Sequence, residues 1–302
     1  MTYRIIKKRK FFLAIAASAM LASIVFLSLW GLNFGVDFKG GSLLEAEFSG
    51  YQPSIAEIQA ALAGDVNNLV VQPTNDSVIL RFREDSEEAH QAVVASLKEI
   101  IKDKEGVSFK ELQFNSVGPS IGKELKSKSF NSIIIVLIMI ITYISFAFRK
   151  VSKPVASWKY GVAAIIALAH DVLFILGAFS LLGHFYGIEI NTPFIAAILT
   201  VLGYSVSDTI IVFDRIRENL PKSREDFENT INVSVNQTMS RSINTSFSSI
   251  LALLAILFFG GDTVKDFALA LTIGIFVGTY SSIFIASPVL VVWDNLTRRH
   301  SR

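Results

Sequence analysis

Six long apolar runs constrain this chain more than any other feature: Phe11–Trp30, Ser132–Phe148, Tyr160–Leu182, Pro193–Phe213, Ile243–Phe259 and Phe267–Trp293. Each is near or above the ~18–20 residues that cross a bilayer as a helix. A chain that is 51% hydrophobic and only 18% charged fits an integral membrane protein. The last run is long enough to tilt or protrude, and Pro288 is expected to kink it or mark its inner end. There is no cysteine, so disulfides, thiolate metal sites and cysteine nucleophiles are excluded.

The first run follows a basic segment (Arg4, Lys7, Lys8, Arg9, Lys10) and contains Ala17-Ser18-Ala19, as a signal peptide would. That triplet lies mid-run, and apolar residues continue to Trp30, so an uncleaved helix is expected. Basic residues set the orientation. The N-terminal cluster, Arg149, Lys150, Lys153 and Lys159, then Arg215, Arg217, Lys222 and Arg224, and finally Arg298, Arg299, His300 and Arg302 fall on one side of a six-span chain. The opposite connections, Gly183–Ile190 and Gly260–Asp266, hold only Lys265 as a basic residue. Both termini are therefore expected in the cytoplasm, with residues 31–129 outside it.

The expected organisation is a basic N-terminus and first span over 1–30, an exported domain over 31–129, a five-helix bundle over 130–294 and a basic tail over 295–302. In the exported segment acidic residues exceed basic ones, which argues against nucleic-acid binding. Asp37–Phe48 reads as a strand bent at Gly40-Gly41. Pro53–Leu62 reads as a helix, with Ile55, Ile58 and Leu62 at helical spacing. Asn68–Gln72 and Val78–Arg83 read as strands around the turn Pro73-Thr74-Asn75-Asp76. Asp85–Asp103 places Ala89, Val93, Leu97, Ile100 and Ile101 along a helix face, and Phe109–Val117 alternates as a strand. This β-α-β-β-α-β order points to a small ferredoxin-like α+β domain. Its lone His90 and scattered carboxylates form no catalytic pattern.

Charge inside the spans is the functional signal. Asp208 sits six residues before Asp214, roughly 9 Å deeper into the membrane. A charge there is expensive unless paired, wetted or neutralised. Tyr204, Ser205 and Asp208 share a helix face by i, i+3 and i+4 spacing. Arg241 enters the next apolar run from the same side and is a candidate partner, with Thr238, Thr245 and Ser248 at helical spacing and Asn244 and Ser249 beside them. Two uses stand open for Asp208: carrying a proton or ion, and locking two helices together. An Arg at that depth can also simply snorkel to the interface. His170 and Asp171, midway along the third run, are candidate relay or helix-lock residues, as are Tyr204, Ser205 and Thr245. Ala270, Gly274, Gly278, Ser282 and Ala286 form a small-residue ridge, read as helix packing with no catalytic role. Neither metal-ligand spacing nor a P-loop nor a nucleophile elbow is present, so an enzyme is not expected.

Several motifs together resemble the SecF side of the SecD/SecF family. They are Gly31-Leu32-Asn33-Phe34-Gly35-Val36-Asp37-Phe38-Lys39-Gly40-Gly41, Val117-Gly118-Pro119-Ser120-Ile121-Gly122, Ala169-His170-Asp171-Val172 and the run from Gly203 to Asn219 around Ser207-Asp208-Thr209. The resemblance covers nearly the whole chain. It implies half of an RND-like pseudo-symmetric bundle, paired with a separate SecD chain in a bacterial cytoplasmic membrane. It further implies action beside the SecYEG translocon on unfolded preproteins, with YajC a further candidate partner. No cofactor is implied beyond the proton gradient as energy source. Asp208 matches the fourth-span carboxylate and Arg241 the fifth-span arginine that the family ties to proton conduction. Two other readings stay open: a half-size RND-like small-molecule exporter, and an assembly subunit with no proton role.

Overall fold

A computed structural model describes residues 3–74, 77–104, 106–148 and 157–300. Asn75 and Asp76 of the expected turn, and Arg149, Lys150, Lys153 and Arg302 of the basic clusters, lie outside the described residues, as do the side chains of Arg298, Arg299 and His300.

In chain order the elements are α1 (Arg9–Trp30), α2 (Val36–Lys39), β1 (Gly41–Ser49), α3 (Ile55–Ala61), β2 (Val70–Pro73), β3 (Ser77–Phe82), α4 (Glu87–Ile101), β4 (Ser108–Val117), α5 (Pro119–Ala147), α6 (Ser157–Tyr186), α7 (Thr192–Asn219), α8 (Phe227–Phe259), α9 (Asp262–Ser281) and α10 (Ser287–His300). Six of the described helices are long and apolar enough to cross a membrane, α9 and α10 forming one continuous span through Val264–Leu296. The chain divides into two compact units, Met1–Asn33 with Asn131–Arg302, and Phe34–Phe130.

The second unit is an antiparallel sheet in the order β2-β3-β1-β4. This is the ferredoxin-like order expected from the sequence. Leu44, Ala46, Phe48, Val78, Leu80 and Phe82 alternate onto one sheet face, where Ile58 and Leu62 of α3 and Val93 and Leu97 of α4 cover them. A bulge opposite Glu45 and Ala46 leaves Leu112 of β4 without a cross-strand partner.

One expectation is corrected here. Asp37, Phe38 and Lys39 form the helical turn α2, not the start of a strand. The reason is the backbone at Gly40 (φ +81°) and Gly41 (φ +116°), which only glycine adopts readily. A Cβ on Gly40 would stand 2.8 Å from Pro119 Cα, and one on Gly122 3.1 Å from the Phe38 carbonyl. The two glycine motifs, distant in sequence, thus fit against each other at this corner.

Helix α3 opens with a capping box: Ser54 Oγ accepts the Glu57 N–H, and Glu57 Oε2 accepts the Ser54 N–H at 2.9 Å. The Tyr51 hydroxyl donates to Glu57 Oε1 at 2.6 Å. Tyr51 first, then the Ser54 donors, hold the Glu57 carboxyl down from 4.5 to about 2. A carboxyl depressed on folding contributes stability above its unfolded value, lost as pH falls through its folded one. The thermal midpoint of the full chain in detergent is therefore expected to drop between pH 4.5 and about 2, and Glu57→Gln should lose that segment of the pH dependence. Identical acid limbs for the two proteins would refute this.

In the membrane unit α7 packs against α8, α9 and α6, and α1 lies along α6. Gly177 of α6 is in close contact with Ser23 of α1, and Ser180 Oγ donates to Phe26 O at 2.9 Å. Gly31 (φ +66°) turns the chain off the end of α1. The segment before α1, with the first residue of that helix, is strapped along the start of α8. Asn232 Oδ1 accepts the Ile6 N–H, Asn236 bonds Tyr3 through both its amide groups, and Arg9 pairs with Glu228 at 2.5 Å. Apolar residues such as Leu21, Ile138, Met139, Phe247 and Phe258 stay exposed, as on helices that face lipid or another membrane chain.

The last span does not end at Pro288. Its helix runs on to His300, and a wide π turn over Ser282–Ala286 precedes the proline. Proline lacks an N–H, and its ring would strike the carbonyl four residues back, here Phe284. The wide turn at that point relieves the conflict.

Candidate functional site: a buried carboxylate and hydroxyl network

Among the described residues three carboxylates are buried in the membrane unit: Asp294 near the end of α10, and Asp171 and Asp208, which lie among polar side chains of the neighbouring spans. Asp171 of α6 is fully buried. Its Oδ2 accepts Ser205 Oγ of α7 at 2.6 Å and Ser281 Oγ of α9 at 2.7 Å, and its Oδ1 lies 3.1 Å from Nδ1 of the buried His170. Asp171 thus joins three spans through short hydrogen bonds to an ionisable group.

Asp208, 7% exposed, faces α8. Its Oδ1 accepts a short hydrogen bond from Ser242 Oγ. Among the described residues its Oδ2 has no hydrogen-bond partner. At the next residue Thr209 Oγ1 meets Ser282 Oγ of the π turn at 3.0 Å, and Ser282 also donates toward the Gly278 carbonyl at 2.9 Å. Higher in the same helices the Tyr204 hydroxyl donates to Ser246 Oγ at 3.2 Å, and Ser246 meets Thr279 Oγ1 at 2.5 Å. A ladder of hydroxyls therefore runs between α7, α8 and α9, with a carboxylate on either side of α7.

Small residues make this approach feasible. A Cβ on Gly278 would come within 3.0 Å of Ser205 Cβ, and one on Gly274 would overlap the Val201 side chain.

The residues singled out from sequence part into groups here. Tyr204 and Asp208 reach α8, whereas Ser205 reaches α6 and α9, so the three do not serve one neighbour. His170 and Asp171, adjacent and both buried, bond each other. Arg241 is exposed, and among the described residues it forms no ion pair with Asp208. It stands one position before Ser242, which takes the place beside the carboxylate. Thr245 is exposed and off the network. Of the polar stripe read on α8, Arg241, Thr245 and Ser248 are exposed; Thr238 is buried and continues into Ser242 and Ser246 instead. Both sets run at helical spacing and both are polar, so periodicity does not choose between them. Ser242, Ser246, Thr279 and Ser281 were not visible as site residues; the i, i+4 spacing of Ser242 and Ser246 was the available signal.

No group of three or more His, Asp or Glu converges among the described residues. The chemistry on offer is that of carboxylates and hydroxyls: Asp208 can take a proton at Oδ2, and the hydroxyls can donate or accept as rotors.

Six spans, an α+β unit inserted after the first, and a carboxylate–hydroxyl network between the helices define a multi-pass membrane protein built around intramembrane polar chemistry. Residues 96–296 match the C-terminal region of the SecD/SecF protein export membrane proteins, and residues 31–50 match the SecD/SecF GG motif. This chain belongs to the SecD/SecF family. It is 43% identical to the protein translocase subunit SecF of Thermobaculum terrenum, covering 96% of this chain and 94% of that one. It is 35% identical to the SecF subunit of Pseudomonas aeruginosa, over 93% and 89% of the two chains. The crystal structure of SecDF, a translocon-associated membrane protein from Thermus thermophilus, superposes with a TM-score of 0.83 at 31% identity. The match covers 98% of this chain but 39% of that SecDF chain.

Proposed function

We propose that this chain works beside a SecD partner in Sec-dependent protein export across the cytoplasmic membrane, coupling proton entry to movement of its exported unit. The family membership and the SecF relatives support the export role. The fused SecDF of Thermus thermophilus, 37% identical over 92% of this chain, supports pairing with SecD. In this reading the termini are cytoplasmic, residues 31–129 meet the unfolded preprotein outside, and the SecYEG channel is the neighbour.

The observation that carries the coupling is Asp208 itself: a buried carboxylate in a spanning helix, one oxygen held by Ser242 and the other unpartnered among the described residues. A charge is rarely kept at such a place without a use. A proton arriving from outside lands on Oδ2 and cancels the charge that Ser242, with Arg241 one residue along, helps to hold. The α7–α8 contact then relaxes, and release inside restores it. The membrane potential supplies about 2.3 kcal/mol per charge per 100 mV, enough to bias two states a few kcal/mol apart. Asp171, with His170 and Ser205, holds α6 to α7 and α9 while this happens.

The test is proton-driven preprotein export in vesicles holding this chain, SecD and the translocon. Loss of the proton-dependent component in Asp208→Asn, with normal assembly, supports the coupling. Full activity makes Asp208 a static lock, the reading that its bond to Ser242 would otherwise favour.

A further inference from the structure

The last residue of the membrane unit before the exported unit begins is Asn33, and it is hydrogen-bonded to the loop between α6 and α7. Its backbone carbonyl accepts the Ile190 N–H at 2.8 Å. Its side-chain amide donates to the carbonyls of Gly187 at 3.4 Å and Ile188 at 3.5 Å. An added Cβ at Gly183 would lie 3.0 Å from Asn33 Cβ, so a bare glycine leaves room for it. Just before, Trp30 stacks on His184 with ring centroids 4.6 Å apart and planes 6° from parallel. The chain leaving α1 is thus clasped along the outer end of α6 and the loop that follows.

That loop leads directly into α7, which starts at Thr192 and carries Asp208 in the same unbroken helix. A helix is stiff along its axis, so a shift of α7 at Asp208 carries Ile190 with it. A hydrogen-bonded crossing passes the shift on, where a slack linker would absorb it. We propose that this clasp is a mechanical joint tying the outer end of α7 to the stretch of chain entering the exported unit, with Asn33 as its positioning residue. The inference rests on the coupling reading of Asp208. Asn33 is separate from the hydrogen bonds that hold Asp171 and Asp208.

The test follows two signals in the vesicles described above: preprotein export, and proton uptake read by a pH-sensitive dye. Asn33→Ala removes both side-chain bonds of the clasp. Proton-dependent export is expected to fall about threefold or more, the scale of ordinary coupling mutations, while proton uptake and assembly with SecD stay at the parental level. A second variant, Asn33→Asp, keeps the size of the side chain but replaces its amide donor with an acceptor, so it should lose export as Asn33→Ala does. Unchanged export in Asn33→Ala overturns the joint. So does proton uptake that falls in step with export, or an Asn33→Asp chain that exports at the parental level. Asp208→Asn is assayed alongside. If it loses export while Asn33→Ala keeps it, the joint alone is overturned; if both keep it, the coupling reading falls as well.

Discussion

Asp208→Asn is expected to remove the proton-dependent part of export while leaving the complex assembled. Asparagine keeps the shape of the side chain and an oxygen that can still accept from Ser242, so the α7–α8 contact survives. What disappears is the titrating oxygen. General proton-transfer roles are worth about 10²–10⁴-fold, so the driven component should fall below detection rather than by half. Asp208→Ala makes the useful contrast. It leaves Ser242 Oγ, which is buried, without its acceptor, at a cost of about 1–3 kcal/mol. A coupling role predicts that Asn and Ala are equally inactive and that only Ala is less stable. A lock role predicts an active Asn variant and an inactive Ala variant. Export rate and thermal midpoint, measured on the same preparations, separate the two.

The second large effect concerns packing. Gly274→Ala should destabilise the chain by about 1–3 kcal/mol, the ordinary range for overpacking a tight contact. The new Cβ would overlap Val201 and stand 3.1 Å from Ile175 Cδ1, both on neighbouring spans. The same substitution at Gly203, on α7, meets nothing within 4 Å. There alanine should be tolerated, and its better helix propensity is worth up to about 1 kcal/mol in the opposite direction. Thermal midpoints in detergent are expected to move down for Gly274→Ala and to hold or rise for Gly203→Ala. A Gly274→Ala chain as stable as the parent would mean that the helices can part at no cost.

Much of this architecture was legible because length and period report it directly. Apolar runs of bilayer length announce the spans, and alternation against 3.6-residue spacing announces the elements of the inserted α+β unit. Its sheet order followed from the element order. The Gly40-Gly41 corner did not, because its tightness comes from Pro119 and Phe82, partners remote in sequence. Asp208 was legible as a charge in an apolar stretch. Its hydrogen-bond partner was not: Arg241 is the conspicuous residue, but a helix turns about 100° per position, and it is the neighbouring Ser242 that faces α7. Likewise nothing in the composition of the last span distinguishes a π turn from a proline kink.

That π turn governs what the two ends of the last span can look at. A wide turn acts as an inserted residue and resets the angular phase of everything after it. Gly274 and Gly278 point at α7 above the turn, while below it Trp293 lies edge-on to Trp158 with ring centroids 5.0 Å apart. Deleting one residue within 282–286 would return the helix to even winding and swing the lower half by about 100° relative to the upper. The upper half keys to the spans that carry Asp171 and Asp208 and the lower half to the start of α6, two demands that an evenly wound helix of this sequence would not meet together.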